Sequence, residues 1–464
     1  MKVDQPLALC ALAIILVGVL AAVAKWGAFG IPLLLLIVTP LIPVVSGVYQ
    51  QPRSYDGIDG STLRTVGIAV LSLVALALAH QRANDREGGR VTGASFYTVQ
   101  ALLIALGVVG VASAIFTATG ASDFVKMLAQ SAGQPLFYAI ALTMFSDALR
   151  RSPRARGQLL SAWCLGAIGE AAIVAGQIAT GAAYDPERGF LRAQGTIGAD
   201  ALGAFAMFAV FGALSLYADA ATNRQRWLAR VTVVASLGTL FVSLTRGPLI
   251  AFGVALLLLV LPKRGELTQK RLANLAGLAL LAAVGLYATK GLWLARLDAP
   301  TTGGFDRPAT WITGLRLVAN HPLVGVGSTH LLTLINSSTE YTLTPYGANG
   351  QLPHDSWLYL TAANGIFYGG LLVILSVVFG RAVFIGRNQL PGTQYLTAGM
   401  LGLLLVFFTN NLLNHPEIML YVLLAAVLVT ARPSASVAAA GEMQPTGSRA
   451  DPQAGPVLAD VWQR

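Results

Sequence analysis

The chain has 464 residues, 55% of them hydrophobic and only 11% charged, against about 25% charged in an ordinary soluble domain. With a mean hydropathy of +0.65, this excludes a soluble globular enzyme and a disordered chain. Long continuous apolar runs, rather than short alternating ones, also exclude a transmembrane β-barrel and leave an all-α polytopic membrane protein.

The net charge of +10 would point to nucleic acid in a soluble protein. In a membrane protein it is explained by Lys and Arg that orient the spans, so no nucleic-acid partner is expected. In chain order, apolar segments of span-like composition run over 6–24, 28–48, 65–80, 96–117, 132–148, 158–178, 198–218, 228–244, 247–261, 273–289, 356–379, 395–413 and 416–430. The first opens at Pro6, is followed by further apolar sequence and reads as an anchor rather than a cleaved leader. Cys10 and Cys164 fall inside apolar runs and form no metal-binding or disulfide spacing.

Loops 81–95, 149–157, 219–230, 262–272 and 380–394 carry the basic residues, among them Arg82, Arg150, Arg154, Arg156, Arg226, Lys263 and Arg381. All five are cytoplasmic together if every segment from 65 onward crosses once. An inside N-terminus then requires an odd number of crossings before residue 49, where two apolar runs meet at Lys25-Trp26-Gly27. One irregular crossing gives about 12 spans with both termini inside. Thirteen spans with an outside N-terminus is the alternative. The chain thus divides into helices over 1–289, a large outer loop over 290–355, helices over 356–431 and a polar Ala/Pro/Ser/Gly-rich tail over 432–464 that reads as disordered and cytoplasmic.

The outer loop stands apart at about 65 residues, because structureless loops of that length are uncommon and usually functional. An amphipathic helix is expected from about 307 to 319, with Trp311, Leu315 and Val318 on one face. The loop reads as a small extracytoplasmic subdomain lying on the membrane.

Three outward-facing elements carry residues suited to chemistry: Ser243-Leu244-Thr245-Arg246-Gly247-Pro248; Arg307-Pro308-Ala309-Thr310-Trp311 with His321-Pro322-Leu323-Val324-Gly325-Val326-Gly327; and Pro353-His354-Asp355-Ser356-Trp357-Leu358. Taken singly, each has a plain structural explanation. Arg246 can be an arginine on lipid headgroups. The second element can be a surface helix with a glycine turn. His354 can precede a helix capped by Asp355 or Ser356. Taken together, two arginines and a histidine at one leaflet can handle a phosphate and a proton: the guanidinium fork stays charged and matches phosphate oxygens, while imidazole titrates near neutrality. No Walker loop, zincin motif or nucleophile elbow occurs.

These elements resemble the O-antigen ligases, within the wider O-antigen ligase/polymerase family of membrane glycosyltransferases. Thr245-Arg246-Gly247 matches the family's arginine in a short outer turn. Arg307, Trp311 and the Pro322 to Gly327 stretch match its arginine, aromatic and proline–glycine turn. His354, with Asn364-Gly365 and Gly369-Gly370 beyond, matches the histidine that opens the span after the large loop, and Arg192-Ala193-Gln194-Gly195 with Gly198 matches a weaker upstream pattern. The family often has Asn after the histidine, where this chain has Asp355.

The resemblance implies a fold like the C-type glycosyltransferases in the bacterial inner membrane, with its site facing the periplasm. It implies a glycan on undecaprenyl diphosphate as donor, lipid A-core as acceptor, and no metal or other cofactor. Arg246 and Arg307 would stabilise charge on the departing diphosphate, with His354 as base in a displacement that inverts the anomeric centre. Arg192, Arg188, Trp311 and Asp355 are the expected substrate-binding residues. Glu170, a lone acid in an apolar run, is a functional candidate or a helix–helix anchor. Asn410, Asn411, Asn414, His415 and Glu417 either line the site or pin a helical hairpin. Small-residue runs such as Gly203-Ala204 and Gly107-Val108-Val109-Gly110 permit close helix approach. The competing readings are an O-antigen polymerase, a protein O-oligosaccharyltransferase and, in a different class, a secondary transporter. The last would show two related halves, which this chain lacks.

Overall fold

The computed structural model describes residues 29–41, 70–71, 73–74, 94–151, 154–185, 190–260, 269–298, 307–338, 340–341, 353, 355–386, 390, 392–410, 412–413 and 415–431. The expected anchor at 6–24, most of the run at 65–80 and the tail from 432 lie outside the described residues.

The described chain is helical: α1 (Gly30–Val38), α2 (Ala94–Thr117), α3 (Ala121–Met127), α4 (Gln134–Arg151), α5 (Ala155–Ala179), α6 (Ala199–Asp219), α7 (Asn223–Val242), α8 (Arg246–Val260), α9 (Gln269–Ala288), α10 (Lys290–Asp298), α11 (Arg307–Asn320), α12 (Leu331–Ser337), α13 (Ser356–Asn364), α14 (Ile366–Gly386), α15 (Thr393–Phe407) and α16 (Pro416–Thr430). A π-turn over Leu128–Gly133 joins α3 to α4. Between α5 and α6, Tyr184–Asp185 (β1) pairs antiparallel with Phe190–Leu191 (β2). Helices follow because a backbone in lipid can satisfy its N–H and C=O groups only within its own segment.

Among the described residues, four helices are long and apolar enough to cross a membrane: Phe96–Thr117, Ala155–Ala179, Ala199–Asp219 and Ile366–Gly386. Shorter apolar helices cover Gly30–Leu41, Arg246–Leu259, Ala276–Ala288, Thr393–Phe407 and Pro416–Thr430. These positions agree with the apolar runs read from sequence, with one correction. The run 356–379, expected as a single crossing, is two helices broken at Gly365, whose φ of +87° takes the chain out of helical geometry. There Ile366 N–H donates to Pro322 C=O at 2.7 Å, and a Cβ on Gly365 would overlap the Leu323 carbonyl. The 321–327 loop occupies the space that a straight helix would need.

α6 is the central helix, buried along nearly its whole length. Trp163 of α5, Phe205 and Phe208 of α6, and Tyr421 of α16 pack together, with ring centroids 4.8 to 5.3 Å apart. Chain direction gives the bundle two distinct ends. At one end Arg156 Nε pairs with Asp219 at 2.5 Å and its Nη1 donates to Leu428 C=O, beside the basic loops. At the other end lie the N-termini of α6, α8, α13 and α16, so several sets of unsatisfied helix N–H groups face the same side.

Small residues set the closest approaches, as their sequence runs suggest. A Cβ on Gly203 would overlap Thr245 Oγ1, one on Gly110 would overlap the Ser131 carbonyl, and one on Gly107 would come 2.7 Å from Leu136 Cγ. Within the large loop, α11 forms where the amphipathic helix is expected. Thr310, Thr313 and Leu317 are buried, while Trp311, Ile312 and Leu315 are exposed apolar side chains. The Glu340–Tyr341 turn is tied to α11 by Arg316 Nη1 donating to Glu340 C=O and Thr313 Oγ1 donating to Tyr341 C=O, both at 2.8 Å.

Candidate functional site

Four segments meet at the bundle end opposite the basic loops. The first is the turn Ser243–Arg246 between α7 and α8. Leu244 there has φ +52°, a left-handed conformation that is uncommon for a side chain other than glycine. The turn is held on several sides: Ser243 Oγ and Thr245 Oγ1 bond at 2.7 Å, Ala193 N–H donates to Val242 C=O at 3.1 Å, and α6 presses Gly203 against Thr245. Arg246 is the first residue of α8 and its side chain is exposed. A fixed positive charge therefore sits on a helix N-terminus, a geometry that favours phosphate.

The second segment is 191–198. Arg192 is buried. Its Nη2 pairs with Asp200 Oδ1 at 2.7 Å and its Nε donates to Ser243 C=O at 3.4 Å. The loop is held from α5: Glu170 accepts from Thr196 N–H at 2.7 Å and Thr196 Oγ1 at 2.9 Å, and Gln177 exchanges hydrogen bonds with Gly195 N–H and C=O. Pro40 C=O is a second acceptor within reach of the one Thr196 Oγ1 proton. Of the two sequence readings of Glu170, its contacts are those of an anchor: it ties a loop to a helix.

The third segment is the start of α13. Asp355 is the N-cap, its Oδ1 accepting from Leu358 N–H at 2.8 Å. Burial raises the Asp355 carboxyl pKa, and hydrogen bonds from the Leu358 and Trp357 N–H groups oppose that rise. Ser356, the next residue, is fully buried.

The fourth segment is the turn 408–413, which links the others. Ser356 Oγ donates to Asn410 C=O at 2.8 Å and accepts from Leu412 N–H at 2.9 Å. Tyr138 Oη donates to Leu413 C=O at 2.8 Å. On its other side the turn abuts Gly247, where a Cβ would stand 2.8 Å from Thr409 Oγ1 and 3.5 Å from Asn410 Nδ2. The Arg246 turn and the cap beside position 354 are thus joined through one turn, in which Asn410 meets both sides. Just beyond it, His415 Nδ1 and Glu417 Oε1 lie 2.8 Å apart.

The remaining expected residues fall as follows. Arg307 opens α11, which packs on α13 with Gly314 against Leu358 and Pro353; its side chain lies outside the described residues. His354 and Arg188 lie outside the described residues. Trp311 is 39% exposed on α11, beside other exposed apolar side chains, as expected of a helix resting in an interface.

Sequence reading missed one pair at this end. His330 Nε2 and Asp123 Oδ2 are 3.0 Å apart, and Thr329 Oγ1 donates to Asp123 Oδ1 at 2.6 Å. The partners lie far apart in the chain and share no motif, so no local signal could have found them.

The comparison with protein families bears directly on these segments. Residues 231–375 match the family model described as O-antigen ligase. The match supports an O-antigen ligase family assignment for the chain. It spans Arg246, Arg307 and Asp355, while Arg192 and the 408–413 turn lie outside the matched ligase segment. No curated protein matches the chain. The family match supports a ligase- or polymerase-type function in O-antigen processing by a glycosyltransferase-like enzyme, and the apolar helices fit a membrane protein.

Proposed function

We propose that this chain is an O-antigen ligase that moves a glycan from undecaprenyl diphosphate to a sugar hydroxyl of lipid A-core at the periplasmic face of the inner membrane, without a metal. The observation that carries the reading is the junction of the Arg246 turn with the Asp355–Ser356 cap through the 408–413 turn; the Arg246 turn and the cap both fall within residues 231–375, which match the ligase family.

In this reading His354 takes the proton from the acceptor hydroxyl as its oxygen attacks the anomeric carbon. The bond from that carbon to the diphosphate oxygen breaks, its electron pair leaves with undecaprenyl diphosphate, and the configuration inverts. Arg246 and Arg307 neutralise the developing charge, assisted by the N-terminus of α8. Arg192, engaged by Asp200 and the Ser243 carbonyl, supports the Arg246 turn from below. Arg188, Trp311 and Asp355 complete the substrate-facing surface.

The test is a transfer assay with purified protein, undecaprenyl-diphosphate-linked glycan and lipid A-core, in EDTA and without nucleotide. The expected product is core-linked glycan, lost on Arg307→Ala. His354→Ala should lower the rate by about 10²–10⁴-fold, the usual worth of a general base. Longer lipid-linked glycan as product would make the enzyme a polymerase. Absence of transfer to either acceptor would turn the assignment toward a protein acceptor or a transporter.

A further inference from the structure

Asn410 stands out at the junction. It is 3% exposed, and its Oδ1 is buried with no hydrogen-bond partner among the described residues. Its backbone is fully employed: N–H donates to Val406 C=O at 2.8 Å, and C=O accepts from Ser356 Oγ at 2.8 Å. The turn is therefore fixed by main-chain bonds, and the carboxamide is not needed to hold it. Its Nδ2 lies against Gly247, the neighbour of Arg246. A buried polar group without a partner is rare and is stabilised only when something else satisfies it.

The chemistry of the group selects its ligand. A carboxamide has one acceptor oxygen and two N–H donors. A diphosphate ionised at neutral pH offers only acceptors and would leave Oδ1 unsatisfied. A sugar hydroxyl both donates and accepts, and a pair of them satisfies both ends of the amide. We propose that Asn410 is a sugar-binding residue whose carboxamide takes hydroxyls of the glycan at the Arg246–Ser356 junction. This rests on the transferase reading above. It adds a residue beyond the matched family segment, and it makes position 410 a determinant of which sugar is accepted. A site built to pair a hydroxyl discriminates strongly against an analogue that lacks it.

The experiment uses the full chain in detergent with undecaprenyl-diphosphate-linked glycan, comparing wild type with Asn410→Leu and Asn410→Ala. We expect both variants to lower kcat/KM for transfer at least about tenfold. Inhibition by free undecaprenyl diphosphate should be unchanged, and the Tm of Asn410→Leu should equal or exceed that of wild type, because an unpaired buried amide is replaced by an apolar group of similar size. Near-wild-type transfer overturns the proposal. So does a Tm that falls together with transfer, which would make the amide structural, and so does lost inhibition by undecaprenyl diphosphate, which would make it a phosphate contact. If wild type itself transfers nothing, the ligase reading fails separately. Binding is then read as the Tm shift caused by the lipid-linked glycan. A shift present in wild type and lost in Asn410→Leu sustains the sugar contact, while equal shifts or none refute it.

Discussion

Ser356→Ala cuts the link between the α13 cap and the 408–413 turn, and its consequence can be worked from two bonds. Ser356 Oγ donates to Asn410 C=O at 2.8 Å and accepts from Leu412 N–H at 2.9 Å, with a weaker contact from Leu413 N–H at 3.4 Å. Ser356, Asn410 and Leu412 are all buried, so water does not replace the lost hydroxyl. Leaving a buried donor or acceptor unmade costs about 1–3 kcal/mol. Because Asn410 C=O and Leu412 N–H still bond each other at 3.1 Å, the loss amounts to about one such group, about 1–3 kcal/mol, which raises the open population of the turn by about 5- to 160-fold at about 1.4 kcal/mol per tenfold. Hydrogen exchange at the Leu412 amide reports that opening directly, because this N–H loses the shorter of its two bonds and keeps only the one to Asn410 C=O at 3.1 Å. Exchange at Leu412 should accelerate by that factor, while amides in the middle of α6 stay protected. Glycan transfer should fall as well, since the Arg246 turn and the α13 cap would no longer be held in register. Unchanged exchange at Leu412, or accelerated exchange with full transfer, would refute the reasoning that this hydroxyl assembles the site.

Glu170→Gln retains a carbonyl to accept from Thr196 N–H and should keep transfer within about threefold of wild type, whereas Glu170→Ala strands that N–H and should lower stability by about 1–3 kcal/mol. Loss of transfer in Glu170→Gln at unchanged Tm would instead give the carboxylate a chemical role. For Asp123, partial burial works to raise the pKa, but hydrogen bonds from Thr329 and Thr119 and the nearby His330 outweigh it and hold the carboxyl below its ordinary 3.8. A depressed folded-state pKa contributes stability above the ordinary value and loses it as pH falls through the folded one. The Tm difference between wild type and Asp123→Asn should therefore be present at about pH 5 and shrink as the pH falls below about 4; a difference that grows on acidification over that range would contradict this sign.

Much of the fold is legible in the sequence because hydropathy is a local sum. The runs at 96–117, 158–178 and 198–218 are helices in the structure, since a backbone surrounded by lipid has no other way to satisfy its hydrogen bonds. The amphipathic helix of the large loop and the Asp355 cap are equally local, set by side-chain spacing and by one carboxylate within reach of its own helix end. The Thr245-Arg246 and His354-Asp355 motifs drew attention because their residue types suit phosphate and proton chemistry, but their sequence spacing says nothing of which turn lies between them.

Tertiary structure alone decided the rest. The break at Gly365 exists because the 321–327 loop packs where the helix would continue, a steric fact about a distant segment. Glu170 became a loop anchor because Thr196 reaches it from another element, and Arg192 was turned from the solvent toward Asp200 and Ser243. Ser356 and Asn410 meet across more than fifty residues, and the Asp123–His330 pair spans far more. Hydrogen bonds between chain-distant turns leave no periodicity to read. They are set by which helix ends the bundle gathers at one surface, where close approaches such as that of Gly203 to Thr245 bring the turns together.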